Sequence, residues 1–269
     1  MVDTFDTDFL IKQKSKAFKD WNQHNFIFRQ SSEIVFKKLS EINQNFKNVL
    51  LITSDLSETI DKLSELNYEK IIYLTQYEKF LELSNFKCKS FTRVLSRFEN
   101  IPFKEQSFDL IICNFCFHNI NDKKNYLNKL FSILKNKGML FCNFFGGNSL
   151  YELQKCFFLA DEQIYGGSYL RFPPKIKMIN FSDLLSQVGF KEIVSEKVNY
   201  EILYKNTTNM IKDLNGIGEG CILKTKQKGL LTKNYIKTLD SLYKREFSNS
   251  ESNLKLTCDI ISTTCWKNS

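Results

Sequence analysis

Apolar positions in this chain form short continuous runs, separated by stretches in which they recur every three or four residues. Five runs have strand length, at 49–52, 71–74, 91–95, 108–114 and 139–145. Between the last two, Tyr126, Leu127, Leu130, Phe131 and Leu134 mark one face of a helix. Asp122 stands at its N-cap, and Gly138, beside Lys135 and Lys137, has the chemistry of its stop. Strand, helix and strand without a hairpin signal predict a parallel crossover in a sheet covered on both faces. The next helix is predicted to start at Ser149, whose hydroxyl forms a capping box with Glu152.

Upstream, helices are predicted near 9–20 and over 28–42, the second capped by Ser31 or Ser32. Leu56, Ile60 and Leu63 share one face of a helix after the first strand, and another helix spans about 77–83. Downstream, 165–175 holds two Gly and two Pro without a period and reads as a loop. A helix over 181–188 stops at Gly189, and an alternating strand follows over 190–198. Residues 207–229 combine a helix with a Gly-rich turn, 232–247 are helical, and the chain closes on a strand over 256–266. The whole predicts an α/β, Rossmann-like, doubly wound sheet of seven strands. Residues 1–46 form a helical extension, and 47–269 the main domain, with insertions at about 165–180 and 199–230.

A net charge of +8, with basic runs at 11–19 and 224–229, suits either an acidic partner or solvated helix faces. No aromatic ladder alternates with these charges, so a nucleic-acid partner is not expected. The acidic start MVDTFDTD is neither a signal nor a transit peptide, and no apolar run reaches the about 18 residues of a membrane span. A cytoplasmic location with eight reduced cysteines is the expectation. Cys113 and Cys116 form C-x-x-C, but three residues apart on a strand they would face opposite sides, so no metal site is expected.

The segments IPFKEQSFDLIICNFCFHNIND (101–122), FFGGNSLYEL (144–153), DLLSQVGF (183–190) and DLNGIGEG (213–220) resemble one branch of class I methyltransferase-fold proteins. That branch comprises the NADH dehydrogenase (complex I) assembly factor that acts as an arginine hydroxylase and its alphaproteobacterial relatives. The malonyl-carrier-protein O-methyltransferase of biotin synthesis is a more distant likeness. The similarity runs from Phe5 to Trp266 and Lys267, although Thr7 stands where the family's start carries Arg. It implies a seven-stranded class I methyltransferase sheet whose last strand inserts antiparallel beside the fifth, S-adenosylmethionine as cofactor, and an NADH dehydrogenase subunit as protein partner. The reaction implied is methylation or hydroxylation of a protein side chain; a non-catalytic scaffold that binds a partner is the alternative.

The cofactor positions depart from the family pattern. Where the family reads approximately LDxGCGxG after the first strand, this chain reads LLITSDLS, with Thr53, Asp55 and Ser57 at the glycine positions. No glycine precedes Gly138. Thr75 replaces the acid expected to hold the ribose, and Arg97 the acid near the adenine. S-adenosylmethionine is therefore expected to bind weakly or not at all. Ser54 or Asp55 either caps the following helix or holds a ligand in another pose.

Several residues remain as candidates for chemistry. His118, just past the fourth strand, lies on the edge where open α/β sheets place ligands; it is a base, a substrate-orienting group or a packed loop residue. Gly146 and Gly147 either admit a ligand to the backbone or only turn the fifth strand into its helix. Tyr151 could reach a cleft, and Arg171, Gly216, Gly218 and Glu219 fall in the two irregular regions that would cover it. Glu219 either pairs with a basic substrate group or is an exposed loop acid. These residues are expected to line one cleft.

Overall fold

The computed structural model describes residues 4–56, 58–63, 66, 68–81, 90–224 and 231–268. Ser57, the end of the helix expected near 77–83, and the basic stretch from 225 onward lie outside the described residues. Three helices open the chain: α1 (Thr7–Ala17), α2 (Trp21–His24) and α3 (Phe26–Glu41). Then follow β1 (Asn48–Thr53), α4 (Glu58–Leu63), β2 (Lys70–Thr75), α5 (Glu78–Leu81), β3 (Phe91–Leu95) and β4 (Phe108–Asn114). A 3₁₀ turn at Phe117–Asn119 leads to α6 (Lys123–Ile133), β5 (Leu134–Phe145), α7 (Tyr151–Tyr165) and α8 (Met178–Val188). The chain ends with β6 (Lys191–Tyr204), α9 (Thr207–Gly216), α10 (Lys233–Phe247) and β7 (Leu254–Trp266).

The strands form one sheet in the order β3-β2-β1-β4-β5-β7-β6. β1 to β5 pair parallel, and β7 runs antiparallel between β5 and β6, as the resemblance implies. The continuous apolar runs serve two cores at once. Val49, Leu51, Leu110, Ile112, Met139 and Phe141 enter one, while Leu50, Ile52, Ile111, Cys113, Leu140 and Cys142 enter the other. Alternation in direction without alternation in polarity is what a sheet covered on both faces demands. Ala17, Trp21, Ile27 and Phe28 from the N-terminal helices join the second core, and α7, α9 and α10 make a third with the near ends of β6 and β7.

Several local expectations are corrected. Helix α6 ends at Ile133, capped by Leu134, and β5 begins at once, so Gly138 is not its stop. Gly138 is needed for proximity: a Cβ there would lie 2.8 Å from the Lys135 carbonyl and 3.1 Å from that of Asp109 on β4. Ser149 and Glu152 do not form a capping box. The Ser149 hydroxyl donates toward the Gly146 and Asp259 carbonyls, and Glu152 accepts from the Thr257 amide and hydroxyl on β7. Ser31 and Ser32 lie inside α3 rather than at its cap. Cys113 and Cys116 share one core, because Phe115 at φ 54° turns the chain after β4 and cancels the strand alternation. Gly189 does end α8, at φ 112°.

We predict that Gly138→Val lowers stability by about 1–3 kcal/mol, the usual cost of forcing atoms into a packed site. Chemical denaturation measures it, and an unchanged midpoint would contradict the close approach of β4 and β5.

Candidate functional site

Ligands in open α/β sheets sit outside the carboxyl ends of the strands. At that edge Thr53 and Asn114, the last residues of β1 and β4, lie side by side in register with Asn143, two residues before the end of β5. Each is a polar side chain in or at the end of an apolar run, and the three meet in a buried network. The Asp55 carboxylate accepts from the hydroxyls of Thr53 and Thr59 at 2.5 Å and from Asn114 Nδ2 at 2.9 Å. It also accepts from the Thr59 amide in the first turn of α4, the capping alternative for this residue. Ser31 on α3 donates to Asn114 Oδ1 and accepts from Asn143 Nδ2. Burial, then the charge of Glu58, raises the Asp55 pKa from the ordinary 3.8 to about 6 against the pull of these donors.

The neighbouring loops are filled in the same way. Ser54 shares a hydrogen bond with the Tyr77 hydroxyl, which accepts from Gln76 Nε2, while Gln76 Oε1 accepts from the Phe98 amide. Tyr77 packs against Phe80 and Phe98, with ring centroids 5.0 and 5.7 Å away. Thr75 is fully buried and accepts from the Tyr77 amide. Arg97 extends outward to Asp8 on α1 at 2.6 Å. Trp21 from α2 packs on Phe80 and donates through Nε1 to Glu58 at 2.7 Å, and Asn25 donates to the same carboxylate. Thus Thr53, Ser54, Asp55 and Thr75 are all buried against the chain's own side chains, beneath its N-terminal helices.

Next to this bed stand His118 and Glu219, 101 residues apart, with His118 Nε2 3.1 Å from Glu219 Oε2. The other carboxylate oxygen accepts from Lys14 Nζ of α1 at 2.8 Å, and Lys14 also donates to the Ile217 carbonyl. Glu219 is therefore not an exposed loop acid. Burial pushes its pKa up, but Lys14 and His118 outweigh burial and hold it well below the usual carboxylate range. Burial pushes the His118 pKa down against the opposing pull of Glu219. Lys14 pairs with Glu219 at 2.8 Å, and His118 Nε2 stands between this acceptor and the Asn119 Nδ2 donor, 3.1 Å from each. The other ring nitrogen, Nδ1, is buried and has no hydrogen-bond partner among the described residues.

Gly216 and Gly218 are packed against the N-terminal helices. A Cβ on Gly216 would stand 2.1 Å from His24 of α2, and one on Gly218, at φ +68°, 3.0 Å from the Lys14 backbone. The DLNGIGEG turn is glycine-rich because α1 and α2 press directly on it, aided by the His24–Asp213 pair at 2.6 Å. Gly146 and Gly147 serve packing as well, against Ile261, the Ile176 carbonyl and Asp259. Gly147 and the half-exposed Tyr151 line an outer groove rather than the space beside Glu219. Arg171 makes a two-point ion pair with the buried Asp161, which also accepts from the Tyr235 hydroxyl. Of the residues expected to line one cleft, His118 and Glu219 meet; the groove of Gly147 and Tyr151 shares Ser149 and Lys175 with the cavity beside Glu219, and Arg171 is held by Asp161.

Beside Glu219, a largely apolar cavity of about 40 Å³ runs between Phe26, Phe145, Leu214 and Leu256, with Lys175 and the His24–Asp213 pair on its wall. That is room for about three waters. The residues that sequence reasoning missed are Lys14, Trp21, Glu58 and Lys175. A signal existed for the first: Leu10, Lys14 and Ala17 recur at helical spacing, which places a lysine on the buried face of α1. Among the described residues no group of acids, histidines and cysteines could hold a metal ion, and no helix is long and apolar enough to cross a membrane.

We predict a distinct pH signature for Asp55. A folded pKa raised to about 6 gives stability that is present below 3.8 and lost as pH rises through 6. The stability difference between Asp55→Asn and the parent should therefore move by about 2–3 kcal/mol in favour of the variant as pH rises from 4 to neutral. Denaturation midpoints across pH test this, and a gap independent of pH would contradict it.

Residues 55–142 match the family model described as "Methyltransferase domain". The arginine-hydroxylase NDUFAF5, mitochondrial, of Danio rerio is 25% identical over 271 residues, covering 99% of this chain and 83% of that protein. The Rickettsia prowazekii protein RP459 is 33% identical over 152 residues, covering 53% of this chain and 66% of that protein. Among solved structures, the YcgJ protein of Bacillus superposes with TM-score 0.59 at 14% identity, covering 89% of this chain and 99% of that one. The sheet order and these matches agree on class I methyltransferase architecture.

Proposed function

We propose that this chain, a class I methyltransferase-fold protein resembling the NADH dehydrogenase assembly-factor branch, works in the cytoplasm as an assembly factor that binds an NADH dehydrogenase subunit without using S-adenosylmethionine. One observation carries the reading: the bed that would cradle the cofactor is built from bonded, buried side chains. A family glycine admits the ligand's methionine and ribose because it lacks a Cβ. Here Thr53 and Asp55 fill that space, Tyr77 and Trp21 lie over it, and Thr75 and Arg97 offer no carboxylate to a ribose or an adenine. In our reading the residues present do not fit S-adenosylmethionine, and no chemical step is assigned to it. The seven cysteines described, all free and nearly all buried, suit a reducing compartment.

A second reading, an enzyme acting on a protein side chain, is favoured by His118. Its buried Nδ1 has no hydrogen-bond partner among the described residues, while Glu219 and Asn119 orient the ring through Nε2, which leaves Nδ1 the atom open to a substrate proton.

The two readings part on cofactor and on partner. Each lost cofactor contact should cost on the order of 1–3 kcal/mol. Titration calorimetry with S-adenosylmethionine and S-adenosylhomocysteine should therefore show dissociation constants in the millimolar range or weaker. A low-micromolar constant would restore cofactor-dependent chemistry. Affinity capture of the tagged chain from its own cells should recover an NADH dehydrogenase subunit. Recovery equal to that of an untagged control would remove the assembly role.

A further inference from the structure

Strand β6 closes one side of the sheet, and among the described residues no other strand pairs with its outer edge. After the irregularity between Lys191 and Val194 it keeps unbroken register with β7 from Val194 to Tyr204. The edge strand on the other side, Phe91–Leu95, is less than half as long. An edge of this kind presents a row of backbone donors and acceptors to any chain that can match it. Its apolar residues are not withdrawn, since Val194 is 61% and Leu203 49% exposed. Helix α8, joined to β6 by the Ser182–Ser195 hydrogen bond, begins with Met178 and Ile179, which are exposed as well.

Charged side chains on an edge commonly keep other strands away. On β6 their order fits a second copy of the same strand. A two-fold axis perpendicular to an antiparallel pair leaves one residue opposite its own copy. With that axis at Asn199 the whole stretch Val194–Tyr204 is used, and Lys197 of each copy stands opposite Glu201 of the other. Val194 then meets Tyr204 and Val198 meets Tyr200, β-branched against aromatic, a pairing that antiparallel strands favour. Moving the axis to Val198 or Tyr200 shortens the overlap and leaves no charge opposite its counter-charge. Asn199 does not obstruct the axis, because its Nδ2 is drawn back to Asp259 Oδ1 on β7 at 2.6 Å. Lys197 and Glu201 lean toward Asp259 and Lys255 of their own chain, yet stay 44% and 51% exposed. We propose that the chain forms a two-fold dimer by antiparallel pairing of β6 with β6, centred on Asn199, which joins two seven-stranded sheets into one. The dimer does not depend on what the carboxyl edge of the sheet binds. One pair of strands buries less than the roughly 1,600 Å² of a standard interface, so association in the micromolar range is expected.

Analytical ultracentrifugation between about 1 and 200 µM should show a monomer–dimer equilibrium for the parent protein. Lys197→Glu and Glu201→Lys each set two like-charge pairs beside the axis and should raise the dissociation constant at least about tenfold. The double variant restores opposite charges across the axis and should return to within about threefold of the parent. A parent protein that stays monomeric throughout, a dimer indifferent to the single reversals, or a double variant as weak as the singles would each overturn the proposal. A measurement that needs no variant is amide exchange at rising protein concentration. It should slow across Val194–Tyr204 and stay constant across Asn48–Thr53; exchange over Val194–Tyr204 that ignores concentration would also overturn the dimer.

Discussion

The contact on which the arrangement of the site depends is the ion pair of Lys14 and Glu219, made with almost no water around it. A carboxylate this deeply buried cannot remain charged without a partner. Lys14 supplies the charge, His118 the second hydrogen bond, and the glycines of 216–220 the proximity that lets α1 and α2 reach them. The signature DLNGIGEG is thus the imprint of a helix on a turn.

The same constraint explains why the sheet's carboxyl edge has changed character. With the N-terminal helices pulled down by Lys14 and by the Trp21–Glu58 bond, the turn after β1 faces indole and phenyl rings rather than solvent. The side chains of Thr53 and Asp55 make hydrogen bonds to each other, to α4 and to β4 there. Polar groups that would otherwise have to find water find one another, which offsets part of their desolvation and leaves Asp55 with the rest.

The sheet could be read from the residues because its signal is dense. Every central strand is an apolar run between turn residues, and burial on both faces makes each residue of the run count. Element ends were harder to read. Lys135, Lys137 and Gly138 have the chemistry of a helix stop, yet pairing with β4 draws the chain into β5 from Leu134 onward. Ser149 and Glu152 have the spacing of a capping box, but β7, more than a hundred residues later, offers both side chains better partners. The candidate site was half visible. His118 and Glu219 stand out by residue type, whereas Lys14 looks like any lysine in a basic run until the spacing from Leu10 to Ala17 is weighed. That its counter-charge lies 205 residues away is tertiary information that no local pattern carries.

That distance has a consequence for synthesis. At about 5–20 residues per second, a ribosome needs on the order of ten to forty seconds to bring Glu219 out after Lys14. Throughout that interval α1 waits without its binding partner, as does the Trp21 that should lie beneath it. A leucine at position 14 would complete an apolar stripe with Leu10, Ala17 and Trp21, offering chaperones and neighbouring chains an adhesive surface. A lysine there keeps the nascent helix wetted, then gives up its water when the last third of the chain arrives. The charge that is hard to bury in the finished molecule protects the unfinished one.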